Sequence, residues 1–336
     1  MSLIVVIILV SIASVLFLNQ MGLPSTSNTA SSTGGENVPV GAVLYLWYGN
    51  GTTGTGGLGS PGWNSTSCPG GGAVVDTPSA GYYISDSNAT FQRQVSEMQS
   101  AGISFAVVSW WGPFTTGEAG AINKATLDLF RFLKATNSSF KVAIMVDAFT
   151  TACGLPSVSM TRVGNYVQST FVEPYGQWYF GWQGKPLLLF FNPLQPGSDA
   201  NFTVRTIGNR PNAVDWTFWD APANFSEPQG GTGVNVSNDV GEPFISSDGE
   251  VTIVPRIDSY YSYLFHYQAG YLRFDPTLRL GLYQYEWNYV LSHQSDVKLV
   301  LIYSWNEYHE RTEIEPAGAT DAYLLNLTTR YASVLG

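Results

Sequence analysis

The run SWNEYHERTEIEP (residues 304–316) gathers Glu307, Glu310, Glu313 and Glu315 around His309. That is four carboxylates within nine residues, in a chain with only 25 acidic residues in all. Like charges this close raise one another's pKa unless a proton, a metal or a ligand relieves the repulsion. Glu307 and Glu310 are three residues apart, so one helical turn would bring their Cβ atoms to about 5–6 Å. Paired carboxyls that cleave glycosidic bonds with retention stand about 5–5.5 Å apart, one acting as acid and the other as base. Two other readings compete. A solvated acidic turn would not sit among Trp305, Tyr308 and His309 at the end of an apolar run. His309 and Glu313, at i and i+4, could ligate a divalent ion, but the chain has 3 His and no His-x-x-x-His pair. No metal or other cofactor is expected.

The elements that must hold this segment are legible upstream. Short apolar runs recur at residues 42–49 (AVLYLWYG), 104–112 (SFAVVSWWG), 141–149 (KVAIMVDAF), 186–193 (PLLLFFNP), 214–222 (VDWTFWDAP), 251–261 (VTIVPRIDSYY) and 297–307 (VKLVLIYSWNE). Near-continuous apolar runs mark strands buried on both faces of a parallel sheet. FTVRT (202–206) is a candidate eighth strand, although Arg210 and Pro211 follow closely. Between the runs lie helical patterns, with Phe91, Val95 and Met98 on one face before Gly102, then Leu127, Phe130 and Leu133, then Leu282, Tyr285 and Val290. Alternating β and α elements admit a doubly wound sheet or a (β/α)8 barrel. The strand ends favour the barrel, because almost all carry polar or aromatic groups: Trp47 and Tyr48, Trp110 and Trp111, Asp147, Asn192, Asp220, Tyr260 and Tyr261, and Trp305 onward. No dinucleotide fingerprint follows the first strand, so the Gly-rich stretch 49–62 reads as a long loop on the same face. The expected fold is therefore an α/β, somewhat irregular (β/α)8 TIM-like barrel spanning residues 39–336.

Ahead of the barrel, residues 3–18 (LIVVIILVSIASVLFL) form an almost unbroken apolar run, the length of a minimal membrane span or a long signal core. Residues 1–20 are read as an uncleaved anchor or a cleaved signal, and the Ser/Thr/Gly-rich stretch 21–38 as a tether. Sequons begin at Asn50, Asn64, Asn88, Asn137, Asn201, Asn224, Asn235 and Asn326, which together with the apolar run suggests an extracellular glycoprotein, membrane-anchored or secreted. Cys68 and Cys153 could form a disulfide in an oxidising compartment or stay as buried thiols. A formal charge of −10, with 15 Lys and Arg against 25 Asp and Glu, argues against a nucleic-acid partner.

The segment 304–316 resembles the Asn-Glu-Trp-His-Glu-Gly-Thr-Gln-Ile-Glu signature of glycoside hydrolase family 99, the endo-α-mannosidases and related barrels. LWYGN (46–50) is similar to the family's opening Trp-Tyr-Gly motif, residues 84–113 to its first helix–strand unit, and YGQWYFGWQGKPLLLFF (175–191) to its central segment. The resemblance implies a retaining hydrolase of α-linked glycans, α-mannosides among them, that needs no cofactor. In it, Glu307 would act as base on the sugar's own 2-hydroxyl, giving an anhydro-sugar intermediate. Glu310 would protonate the leaving oxygen and then activate water. Asn306 and His309 belong to the same motif and are further candidates for binding the substrate. Tyr48, Trp110, Trp111, Tyr261 and Trp305 are then candidates for stacking on sugar rings, and Asp147 and Asn192 for binding hydroxyls. Arg311 stands where the family has Gly, and Glu313 where it has Gln. Arg311 would depress the pKa of Glu310 unless a carboxylate such as Glu313 or Glu315 engaged its guanidinium. It also supports a second reading, a catalytically silent carbohydrate-binding surface protein on the same barrel.

Overall fold

The apolar runs become the staves of a barrel. The structure, a computed structural model, describes residues 37–49, 63, 74, 76–147, 159–191, 199–208, 214–217, 234–235, 243–260, 272–274, 278, 281–320 and 322–335. The expected anchor and tether, Asn192, Asp220, Tyr261, Cys68 and Cys153 lie outside these residues. Among the described residues, no helix is long and apolar enough to cross a membrane.

The strands are β1 (Val40–Leu44), β2 (Phe105–Trp110), β3 (Lys141–Val146), β4 (Gly181–Trp182), β5 (Lys185–Phe191), β6 (Thr203–Gly208), β7 (Trp216–Thr217), β8 (Val234–Asn235), β9 (Glu250–Ile253), β10 (Ile257–Asp258), β11 (Leu272–Phe274) and β12 (Leu299–Ile302). Eight of them run parallel in the order β7-β6-β5-β3-β2-β1-β12-β9. They form a nearly closed (β/α)8 barrel whose seam falls between β7 and β9. The short β4 pairs antiparallel with β5, and β10, β11 and β8 make a separate small sheet. The doubtful FTVRT run does supply a stave, β6, which ends at Gly208 just before Arg210 and Pro211. The run 214–222 contributes the two residues of β7 among the described positions.

Helices α1 (Asn88–Ser100), α2 (Gly117–Thr136), α3 (Met160–Val167), α4 (Leu282–Ser292) and α5 (Tyr323–Leu335) pack outside the staves. Ser87 caps α1 by accepting from the Thr90 amide, and Gly102, at φ +80°, takes the left-handed turn that ends it. Phe91, Val95 and Met98 are buried as expected. In α2, Phe130 and Leu133 are buried and Leu127 half-buried. In α4, Tyr285 is 45% exposed and the inward face is Leu282, Tyr283, Glu286, Trp287 and Val290. The periodic reading placed Tyr285 on the inward face, but the buried stripe runs through Tyr283, Glu286 and Trp287 instead.

Side chains alternate across a strand, and Trp110 settles which way β2 faces. Its indole Nε1 donates to Asn123 of α2 and its ring stacks on Tyr166 of α3, so Ser109, Val107 and Phe105 face the barrel axis. The parallel registers Gly41↔Phe105 and Gly41↔Leu301 put these positions in one layer near the strand starts. There the Phe105 ring occupies the space that a Cβ at Gly41 would take, at 2.2 Å from its Cζ, and stacks on Phe180 at 3.7 Å between centroids. Gly41→Ala should therefore overpack the barrel floor and cost about 1–3 kcal/mol, read as a lower denaturant midpoint at unchanged slope.

Candidate functional site

The site forms where β1, β3 and β12 end. Tyr45 follows β1, Asp147 follows β3, and Tyr303 opens the loop after β12 that carries Glu307, His309 and Glu310. A (β/α)8 barrel exposes its chemistry at this C-terminal face, because backbone direction aims every following loop there. The loop is tied down at both ends. The backbone amide of Trp305 donates to Val43 O, and those of Ile314 and Glu315 donate to Trp305 O. Asn306 pairs with Tyr45 like a strand neighbour, its Oδ1 accepting from the Tyr45 amide and its Nδ2 donating to the Tyr45 carbonyl.

These anchors leave two carboxylates beside a tyrosine pair. The Tyr45 hydroxyl donates to Tyr303 Oη at 2.9 Å, and Tyr303 Oη donates to Glu310 Oε2 at 3.3 Å. Both phenols are buried and their pKa values lie well above the ordinary one, first through desolvation and then through the negative fields of Glu307, Glu310 and Asp147. They remain neutral donors. Glu307, Glu310 and Asp147 therefore all lie close enough for their charges to be felt at both phenols. Asp147 Oδ2 accepts from Ser109 Oγ at 2.8 Å.

Glu307 is buried and Glu310 half-buried. Burial pushes the Glu307 carboxyl up to about 8, against the pull of backbone amides from His309 and Glu310. Burial likewise holds the His309 imidazole down to about 4, so it is neutral at neutral pH. Its Nδ1 lies 3.1 Å from Glu307 Oε1, and an ionised Glu307 can only accept, so Nδ1 then carries the hydrogen. The same oxygen accepts from the His309 amide at 2.9 Å. Glu307 is thus a strong, oriented base once ionised, and Glu310 a carboxyl steadied by a phenol.

The four glutamates of the loop separate into different environments. Glu315 pairs with Arg93 of α1 at 2.7 Å and accepts from Tyr83 and Tyr308. Glu313 pairs with the buried Arg256, which also holds Asp76. His309 and Glu313, the pair that a metal reading would need together, are drawn to Glu307 and Arg256 respectively. Arg311 is engaged by neither Glu313 nor Glu315 as expected. Its Nε donates to Asp76 at 2.8 Å and its terminal nitrogen to Asp258 at 3.0 Å. A left-handed backbone at Arg311, φ +55°, accompanies this placement, in the conformation where the matching family position is glycine. The guanidinium charge is balanced by two aspartates, so Arg311 need not quench the acidity of Glu310.

Burial also pushes the Glu313 carboxyl up to about 8, with Arg256 opposing. A protonated Glu313 makes the five-member network neutral. Arg256→Ala leaves Glu313 buried without its cation and Asp76 with Arg311 alone, and should cost about 3–5 kcal/mol in a chemical denaturation curve. Adding Glu313→Gln to that variant should recover part of the loss.

Trp111 joins the site through an edge-to-face contact with Trp47 at 5.7 Å, and Trp47 in turn contacts His309 at 5.8 Å. Three expected sugar-binding residues are engaged in packing instead. Trp110 points outward to the helices, the Asn306 amide is spent on the Tyr45 backbone, and Tyr48 stacks on Trp63 at 4.1 Å with its hydroxyl donating to Asn306 O. Trp305 is wholly buried. Sequence reading overlooked Tyr45, Tyr303, Ser109, Asp76, Asp258 and Arg256. A signal for the first two existed, a tyrosine at the inward parity near the end of each of two apolar runs, whereas Asp76 lies where no periodicity guides the eye.

Neither a protein-family model nor a curated protein matches the chain in sequence. Solved structures do match in shape. The GH99 endo-α-mannosidase of Bacteroides thetaiotaomicron, in complex with bis-tris-propane, superposes with a TM-score of 0.58 at 15% identity, over 88% of this chain and 97% of that one. A second structure of that enzyme gives 0.56 at 16% identity over the same shares. A glycoside hydrolase-like protein gives 0.53 at 15% identity, over 88% and 94%. The fold is a (β/α)8 barrel similar to those of these structures. At this identity the likeness carries the architecture, and the chemistry rests on the residues described above.

Proposed function

We propose that this protein is a retaining glycoside hydrolase of α-linked glycans, with α-mannosides the first class to test. The observation that carries the reading is one loop at the C-terminal face of a barrel similar to the GH99 structures, on which Glu307 is held by His309 and Glu310 by the buried Tyr45–Tyr303 pair. Glu307, oriented by His309, draws the proton from the sugar's 2-hydroxyl, whose oxygen then displaces the aglycone from C1 as Glu310 protonates the leaving oxygen. The 1,2-anhydro sugar so formed is opened by water that Glu310 deprotonates, while the 2-oxygen recovers its proton from Glu307. Two inversions at C1 give net retention, and atoms and charge balance without a cofactor. The apolar N-terminal run supports work at or beyond a membrane, on surface or secreted glycans.

A second reading, a carbohydrate-binding barrel without turnover, draws on Arg311 in place of the motif's glycine. Its engagement by Asp76 and Asp258 favours the enzyme. The deciding experiment incubates the purified barrel (from about residue 39) with a panel of α-linked oligosaccharides and follows product by proton NMR. Release of the α-anomer first supports the proposal. First appearance of the β-anomer overturns the mechanism, and binding without release favours the silent barrel.

A further inference from the structure

The Tyr45–Tyr303 pair has no counterpart among the residues singled out from sequence. A phenol has one proton to give. Tyr303 Oη receives the Tyr45 proton at 2.9 Å, so its own hydrogen is committed to Glu310 Oε2 at 3.3 Å. A carboxyl that accepts at one oxygen presents its transferable proton on the other. We infer that Tyr303 is a positioning residue for Glu310, set in direction by Tyr45, which confines the transferable proton of Glu310 to Oε1 and stabilises the carboxylate left after transfer. The inference deepens the hydrolase reading above, because it assumes that Glu310 is the proton donor.

The relay is well placed for this. Tyr45 is 3% exposed and Tyr303 5%, so water competes little for either hydroxyl. Tyr45 comes from the end of β1 and Tyr303 from the end of β12, staves that are hydrogen-bonded neighbours, and their rings meet edge to face at 6.5 Å. Among the described residues, Tyr303 donates to Glu310, the His309 ring feels its charge, and Glu307 and Asp147 act on the same two phenols. Arg311, next in sequence, is held by Asp76 and Asp258. A phenol donating to an ionised carboxylate makes a charge-assisted hydrogen bond, so the hydroxyl should matter most in the half-reaction where Glu310 is ionised, when the 3.3 Å contact can shorten.

The test is Tyr303→Phe, which removes the hydroxyl and keeps the ring. Glutamate labelled with 13C at the side-chain carboxyl, with the Glu310 signal assigned from Glu310→Gln, reads ionisation directly in the full barrel. Loss of the donor should raise the Glu310 titration midpoint by about one pH unit or more, the usual worth of a hydrogen bond to a charge. Tyr45→Phe should raise it less, since it weakens the donor without deleting it. In turnover, kcat should fall about tenfold at unchanged KM, and the alkaline limb of the rate profile should move up with the midpoint. An unmoved Glu310 midpoint in Tyr303→Phe, with folding intact by thermal melt, overturns the inference. The titration needs no substrate, so it decides the role of Tyr303 even on a barrel that releases no sugar, an outcome that would count against the hydrolase reading alone.

Discussion

Glu307→Gln and Glu310→Gln are each expected to slow glycoside release by about 10²–10⁴-fold, the usual contribution of a general acid or base. They should differ in how the loss responds to the substrate. A leaving group of low pKa needs no proton, so an activated aryl glycoside should recover much of the first step in Glu310→Gln and none of it in Glu307→Gln. They should differ in pH dependence as well. Burial raises the Glu307 carboxyl to about 8, and the base must be ionised, so wild-type kcat/KM should climb with pH toward that value. Stability separates a chemical defect from a folding defect. Glutamine is nearly isosteric and carries no charge to desolvate, so Glu307→Gln should melt no lower than wild type at pH 8. Full activity in either variant would remove the mechanism.

The barrel is expected to be most stable in mild acid and to weaken steadily above it. Glu307 and Glu313 are raised to about 8, and Glu250 and Glu286 well above the ordinary carboxyl, in every case foremost through burial. These four side chains are nearly or wholly inaccessible. Glu250 rests on Thr252, and Glu286 accepts from the Val254 amide. A carboxyl with a folded-state pKa above its unfolded value keeps its proton in the folded chain after the unfolded chain has lost it. Its contribution is complete below the unfolded pKa of about 4.3 and disappears as pH rises through the folded value. Each such proton steepens the decline of stability with pH across that window. The opposite limb belongs to Asp76 and Asp248, held low despite burial, the first by Arg256 and Arg311 and the second by hydrogen bonds from Ser246, Trp182 and Arg205. Their contribution is present above the unfolded Asp pKa of about 3.9 and is lost below it. Thermal melts should peak near pH 4–5 and fall by several degrees by pH 8. A flat or rising profile between those values would show that these carboxyls ionise freely within the fold.

Much of this protein could be read before any coordinates. Apolar runs of strand length, ending one after another in polar and aromatic groups, already demanded a parallel sheet with its chemistry at one end, because only strands covered on both faces are apolar throughout. Local periodicity likewise found α1, where Phe91, Val95 and Met98 all turn inward. Tyr285 escaped such reading because both stripes of α4 carry aromatics, and the number of large rings does not say which stripe meets the barrel. The motif around Glu307 was recognisable as chemistry because four carboxylates so close together require an explanation in charge alone.

The partners of those carboxylates were beyond the sequence. Glu307 and Glu310 are neighbours along the chain, but Tyr45 lies 258 residues from Tyr303, and Asp76 lies 235 from Arg311. Trp110 and Ser109 are adjacent, and only the closure of the barrel sends one to the helices and the other to the site. Covalent order and side-chain periodicity govern what a strand or a helix is, since both act over a few residues. Desolvation and charge pairing depend on which distant segments exclude water from the same volume, and that is a property of the folded barrel alone.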